Sequence, residues 1–517
     1  MKRYDAIVIG AGHNGLAAAA TLARKGKSAC VIERSGTIGG MSRNAEIAPG
    51  VHAPQIAHLL YNLNPTVARE LGLDLKTNSL PTVSLAEDGR HVVIQNDTVT
   101  FADGSPHPEA ATYASLHIRL VTFARLLGQM SGNPPPSLSG GWTDMATLRE
   151  LAGLAKLGLG LKRLGKKDLR EFLRILLSNA CDLILDDFAD GPLAGALAAD
   201  AVRGSFAGPR SPGTVFSLMY RLGNGGEVRL PAGGMGAVAD AFAMAARKAG
   251  CDIRTGSGVA RVLVENDRVT GVELEDGSTI AASAVLSSAG AFQSMKLAGV
   301  EHFDAEAVRR LRNLRNKGTA AKVNLVLSGA PEFTGLNREQ RAGRLLVSPS
   351  ATYVERAFNP VKYGEMSKAP VVEAVVPSLT DPNLCTDARH ILSAIVHYVP
   401  HGQAGGWDDK ARARLVKLTI ETLERYAPGL GALVTRAEAL TPADIEVMTG
   451  APGGHWHHAE MGIDQILTVR PVNGMAQYRF GPGGLYLCGA SAHPGGDVMG
   501  AAGRNAALQL LKDGGAG

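Results

Sequence analysis

Asp5-Ala6-Ile7-Val8-Ile9-Gly10-Ala11-Gly12-His13-Asn14-Gly15 opens the chain with a short apolar run, then G-x-G-x-x-G. The run Asp5–Ile9 reads as a buried parallel strand. Gly15 to Lys25, rich in Ala and Leu, reads as a helix ending near Gly26, and Ser28 to Glu33 as a second apolar strand. Together they form a βαβ unit. Gly10 permits the tight turn, Gly12 lets backbone approach a pyrophosphate, and Gly15 allows close packing of helix on strand. The helix N-terminus presents free N–H groups and partial positive charge to phosphates. Glu33, at the end of the second strand, is placed to accept from a ribose 2′-OH. The alternative is a Gly-rich βα turn without a ligand. Strand, helix and acid at the right spacing favour a dinucleotide site.

Beyond Glu33 come Arg34-Ser35-Gly36-Thr37-Ile38-Gly39-Gly40-Met41-Ser42-Arg43. A second glycine pair lets backbone lie along more of an extended cofactor. E-R-x-x-x-x-G-G after a first βαβ unit resembles the flavin family that contains phytoene desaturases, carotenoid isomerases and amine oxidases. That resemblance implies FAD as cofactor, with Gly10, Gly12, Gly15, Glu33, Arg34, Gly39, Gly40 and Met41 among its contacts. It also implies an FAD-binding domain built from separated segments, with a substrate domain inserted between them.

The other end of the chain carries Gly484-Leu485-Tyr486-Leu487-Cys488-Gly489-Ala490, then Ser491-Ala492-His493-Pro494-Gly495-Gly496-Asp497-Val498-Met499-Gly500. It reads as a strand, a Gly-rich turn and a helix over Val498–Leu511, whose dipole can stabilise negative charge on a reduced flavin. The backbone N–H groups of Val498 and Met499 are the candidates to point at it, with Gly489 and Ala490 in the turn. The stretch resembles the carotenoid-desaturase C-terminal motif. It is still closer to the branch called pyridine nucleotide-disulfide oxidoreductase domain-containing protein 2. Gly453-Gly454-His455-Trp456-His457-His458, Asp464-Gln465 and Arg470-Pro471-Val472 strengthen that match. Asp497 stands where many relatives have a third glycine; it either caps the helix or places a negative charge near the flavin. Arg229-Leu230-Pro231-Ala232-Gly233-Gly234-Met235 and the strand beginning at Val259 resemble the family's second FAD segment. By that resemblance the backbone of Val259 meets the adenine.

The fold class is therefore α/β, a Rossmann-like FAD-binding domain assembled from discontinuous segments with an inserted α+β substrate domain. The segments are 1–75, 226–295 and 470–517 for FAD, and 76–225 and 296–469 for substrate. Strands are expected at Val259–Glu265, Arg268–Glu275, Ser278–Ala282 and, separately, Ala284–Ser288, with Asn266-Asp267 and Asp276-Gly277 as turns.

His455, His457, His458 and Glu460 form the obvious polar cluster. Lining the flavin or substrate pocket, with His457 and His458 as catalytic candidates, is set against a structural role. No paired Cys and no H-E-x-x-H spacing supports a metal, and none is expected. No second strand–GxGxxG–helix unit is present, so a stable NAD(P) site is not expected.

Composition bounds the rest. The chain has 517 residues, 63 of them glycine, with 20% charged, 45% hydrophobic and net charge +5. That is a globular chain, too weakly basic for nucleic acid. The five cysteines form no C-x-x-C pair, which points to a reducing, cytoplasmic setting. Met1-Lys2-Arg3 runs straight into a strand, so no cleavable signal is expected, and no run of about 18 apolar residues occurs. Around 148–170, Leu154, Leu157, Leu161 and Leu164 share a helical face opposite Lys156, Lys162, Arg163, Lys166, Lys167 and Arg170. A basic amphipathic helix of that kind allows peripheral membrane contact; the alternative is a solvated face over the substrate pocket. The expected activity is hydride removal from a largely apolar small molecule, a carotenoid-like polyene among the possibilities, with electrons passing to oxygen, a quinone or another small acceptor. An amine or N-heterocycle oxidase, a non-redox polyene isomerase and a partner-binding flavoprotein are the alternatives. The oligomeric state is left open.

Overall fold

The computed structural model describes residues 3–135, 158–160 and 162–514. Two sheets organise them. The first has seven strands, in the order Asp252–Arg254, Ala29–Ile32, Arg3–Ile9, Thr279–Ser287, Arg268–Leu274, Val259–Glu265, and Leu485–Leu487 also pairs with Thr279–Ser287. Arg3–Ile9 runs parallel to both neighbours, with Ile7 opposite Cys30 on one side and Val285 on the other. Ile7 and Val8 are fully buried because helices cover both faces. The mixed α/β architecture is the expected one.

Helix His13–Ala23 packs against helix Gly234–Lys248 and against the final helix, Ala501–Lys512. A Cβ on Gly503 would stand 1.8 Å from the backbone oxygen of Asn14. Glycine there lets the last helix lie directly on the first turn of the first. The two chain ends thus meet at the turn carrying G-x-G-x-x-G.

Two expected boundaries move. Ser278–Ala282 and Ala284–Ser288 are one strand, Thr279–Ser287. Its start pairs antiparallel with Arg268–Leu274 (Gly271 opposite Ala281), and its end pairs parallel with Leu485–Leu487 (Val285 opposite Leu485). The final helix begins at Ala501 rather than Val498. Asp497 and Gly500 have φ of 73° and 72°, which no helix accommodates. Val498 and Met499 therefore lie in the loop before it. Gly500 occupies the N-cap, so Asp497 does not cap this helix.

The second sheet has eight strands, in the order Val434–Leu440, Ala320–Leu327, His390–His397, Val372–Val375, Arg344–Val347, Thr82–Ser84, Val92–Gln95, Thr98–Phe101. All neighbours are antiparallel except Thr82–Ser84 with Arg344–Val347. Side chains alternate between its faces. Val323, Leu325, Leu392, Ala394, Val372 and Ala374 face an apolar core that also holds Leu415 and Leu423 of helix Asp409–Glu424. The residues between them, Lys322, Ser393, Ile395 and Glu373, fall on the opposite face.

Helix Gly165–Leu176 buries Phe172 and Ile175, while Leu173 and, just beyond it, Leu177 are 55% and 60% exposed. Leu154, Leu157 and Leu161 of the expected amphipathic stripe lie outside the described residues. No helix among those described is long and apolar enough to cross a membrane. All five cysteines are free and buried.

Candidate active site

A cleft of about 650 Å³ runs between the two sheets, within the range of a cofactor or small-molecule site. Glu33, Arg34, Gly258, Val259 and Glu275 line it, as do Gly10, Gly12 and Gly15 of the first turn. Its wall also includes Met41, Ile56, Leu59, Tyr61, Ile395, Arg203, Trp456 and His458, together with Gly489, Ala490, Asp497 and Val498.

Of the residues expected to hold a cofactor, all line this cleft except Gly39 and Met499. Gly39 donates to the carbonyl of Ala11 at 2.8 Å, so it holds the second glycine loop on the first. Met499 is buried, and its carbonyl accepts from Asn64. Of the two histidines expected to be catalytic, His458 lines the cleft. His457 sits behind it, with Nδ1 1.9 Å from where a Cβ of Gly496 would be.

The residues fit a dinucleotide. Helix His13–Ala23 has no side-chain cap and no acid in its first turn, so its first N–H groups remain for phosphate. Glu33 accepts from the N–H of Ala11 and of Ser35, each at 2.8 Å, which fixes the carboxylate at the end of its strand. His13 Nε2, Asn14 Oδ1 and His458 Nδ1 are buried without a hydrogen-bond partner among the described residues, and all three residues line the cleft. Buried polar atoms rarely stay unpaired; here a ligand would complete them. Burial pushes His13 and His458 down to about 4, so both imidazoles are neutral at pH 7.

Behind the wall lies a buried ionic network. Glu373 is fully buried and accepts from His58 Nε2 at 2.8 Å, Tyr61 hydroxyl at 2.9 Å and Arg344 Nε at 2.8 Å. Burial alone would raise its carboxyl; Arg203, Arg344 and His58 hold it well below the usual carboxylate range. Asp200, at the end of helix Pro192–Ala201, pairs with Arg344 at 2.6 Å and with Arg221. Lys322 is also buried; burial pushes its ammonium well below the ordinary range, and its Nζ has no partner among the described residues.

Arg470, fully buried, gathers the loop that carries the histidines. Its guanidinium donates to the carbonyls of Ala490, His457, Gln465 and Glu460 at 2.7–3.1 Å. Gly204 has φ 74°, and a Cβ there would stand 2.3 Å from the Trp456 ring. Its missing side chain lets Trp456 lie against the backbone beside Arg203.

Tyr61, Arg203, Ile395, Lys322 and Glu373 were not anticipated from the sequence. Two had a signal: Lys322 and Glu373 are the lone charges in the largely apolar strands Ala320–Leu327 and Val372–Val375. No group of three or more His, Cys, Asp or Glu among the described residues is arranged to hold a metal.

The model of the flavin containing amine oxidoreductases matches residues 15–511. Pyridine nucleotide-disulfide oxidoreductase domain-containing protein 2 of Rattus norvegicus is 32% identical, over 99% of this chain and 94% of that one. Phytoene desaturase (neurosporene-forming) of Rhodobacter capsulatus is 25% identical, over 95% and 91%. Among solved structures, an oxidoreductase from Methanosarcina mazei superposes with a TM-score of 0.60 at 17% identity, covering 99% of this chain and all of that one.

Proposed function

The chain belongs to the flavin containing amine oxidoreductase family and is an FAD-dependent oxidoreductase, and from that premise we propose that it removes hydride from a largely apolar organic substrate. The observation that carries this reading is the composition of one stretch of the cleft wall. Ile56, Leu59, Ile395, Tyr61 and Trp456 give it apolar and aromatic surface, and Gly489, Ala490 and Val498 line the same cavity. Such a wall excludes water and holds an apolar body by burial, at about 25 cal/mol per Å². A relative named as a phytoene desaturase supports the same substrate class.

FAD, when bound, supplies the hydride acceptor. The chain's own residues bind and orient. Glu33 would take a ribose hydroxyl, the first helix and its glycine turn would take the pyrophosphate, and Val259 would meet the adenine through its backbone. Ala490 and Val498 would hold the isoalloxazine end. His458, neutral and on the wall, is the group placed to accept or steer a proton, whereas His457 is packing. Electrons leave to oxygen, a quinone or another small acceptor. Segments 1–75, 226–295 and 470–517 form the FAD-binding part, and 76–225 with 296–469 the substrate part. Exposed Lys166, Lys167 and Arg170 beside Leu173 and Leu177 make helix Gly165–Leu176 the face for an anionic membrane surface.

The test is anaerobic screening of the purified yellow protein for compounds that bleach flavin absorbance. Bleaching by polyenes or terpenes is expected. Bleaching by amines alone, with hydrogen peroxide released in air, would overturn the desaturase or dehydrogenase reading.

A further inference from the structure

The direct ion pairs of the buried network behind the cleft are unevenly shared. Three guanidinium groups, Arg203, Arg221 and Arg344, share two carboxylates, Asp200 and Glu373. Arg344 lies between both carboxylates, and Arg221 closes on Asp200. Glu373 already has short bonds from His58, Tyr61 and Arg344. What it offers Arg203 is long: 3.4 Å to Nε and 3.3 Å to Nη2. Arg203 Nη1 makes no hydrogen bond among the described residues. Of the three arginines, Arg203 alone lines the cleft. Its guanidinium lies 4.4 Å from the centre of the Tyr61 ring and 5.2 Å from that of Trp456, and its side chain is only 14% exposed.

Apart from Glu373, no neighbouring group forms an ion pair with Arg203 among the described residues. His58 and His397 are neutral, since burial pushes them down to about 3 and 4. Asp497, also on the cleft wall, favours the charged guanidinium from a distance, but it accepts from Asn62 at 3.3 Å and makes no ion pair with Arg203. A guanidinium held by two rings, with one edge group unsatisfied, matches the planar oxygens of a carboxylate and repels an ammonium. A desolvated cation without a full partner is costly to retain, and a ligand anion would complete it.

We propose that Arg203 anchors the substrate, which carries one carboxylate on its apolar body. This deepens the dehydrogenase reading above and rests on it for the apolar part of the ligand.

The test uses the holoprotein with oxidised flavin and no turnover. Octanoate, methyl octanoate and octylamine are titrated against the visible flavin spectrum. Octanoate should perturb it saturably, the ester at least tenfold more weakly, and the amine without saturation. Arg203→Leu should weaken octanoate at least tenfold and leave the ester unchanged. Should Arg203→Leu lose FAD or fail to fold, Arg203→Lys should keep the preference for carboxylate over ester with reduced affinity. Equal affinity for octanoate and its ester in the native protein, or unchanged octanoate binding in Arg203→Leu, overturns the proposal. Carboxylate selection is read before any electron moves. Its failure is therefore distinct from that of the dehydrogenase reading, which fails when amines alone, or no compound at all, bleach the flavin.

Discussion

Arg470 donates to the carbonyl of Ala490 through both Nε and Nη2, at 3.2 and 2.7 Å. Ala490 belongs to the glycine-rich turn on the cleft wall, and the same guanidinium holds the carbonyls of His457, Gln465 and Glu460. One buried cation therefore fixes the cofactor turn and the histidine loop to each other. Among the described residues its charge is met by carbonyl dipoles and by no ion pair, and burial pulls its pKa down to about 10.

Replacing Arg470 by Met keeps an unbranched, flexible stem and removes every donor. Each carbonyl left unpaired costs about 1–3 kcal/mol, so a loss of at least about 3 kcal/mol is expected, with FAD lost before the fold. The ratio of flavin to protein absorbance after gel filtration, and the thermal midpoint, measure both. Full flavin content in Arg470→Met would show that the turn needs no such brace.

Gly503→Ala tests the meeting of the chain ends. The added methyl would stand 1.8 Å from the Asn14 oxygen, backbone that cannot swing aside. Overpacking of this kind costs about 1–3 kcal/mol. The displacement falls on the first turn of the nucleotide-binding helix, so FAD affinity should drop at least tenfold. Gly36→Ala is the control, since a Cβ there meets nothing within 4 Å. Equal FAD affinity in the two variants would contradict the packing described.

Acid should destabilise the protein from an unusually high pH. Burial holds His13, His397, His458 and His493 at about 4, and His58 at about 3, against about 6.5 in an unfolded chain. Above pH 6.5 neither state binds these protons. Between pH 6.5 and 4 only the unfolded state does, so stability falls by up to about 1.4 kcal/mol per pH unit for each histidine. Thermal midpoints should be level from pH 8 to 7 and decline steadily from 6.5 to 4.5. A level profile down to 4.5 would mean that these imidazoles protonate freely in the folded state.

The two chain ends were legible in the sequence because their signals are local. The glycine spacing after Asp5–Ile9 and the acid at Glu33 describe one continuous βαβ unit, and the Gly489–Gly500 turn is equally contiguous. Thr279–Ser287 was read as two strands because its burial changes character along its length. It alternates beside the Arg268–Leu274 hairpin arm, then is buried on both faces between Arg3–Ile9 and Leu485–Leu487. The substrate wall was hidden for a different reason. Tyr61, Arg203 and Ile395 are far apart in the chain, and only the pairing order of the eight-stranded sheet and its covering loops brings them together. The left-handed Asp497 and Gly500 displaced the final helix, since no propensity of Val498 or Met499 announces a turn set by its neighbours.

Lys322 separates the energetics of the fold from those of the site. Its amine is buried on the second strand from the sheet's edge, near Glu373 and Arg203, with no hydrogen-bond partner among the described residues. An unpaired polar group in such a place costs roughly 2–7 kcal/mol on transfer from water. Methionine fills nearly the same volume without that penalty. Lys322→Met should therefore hold or raise the thermal midpoint, whereas most replacements at a buried position lower it. Differential scanning calorimetry on flavin-loaded samples of both proteins decides this. A midpoint lowered by several degrees would mean that the amine is hydrogen-bonded in solution, and that this strand carries a polar contact its neighbours do not supply.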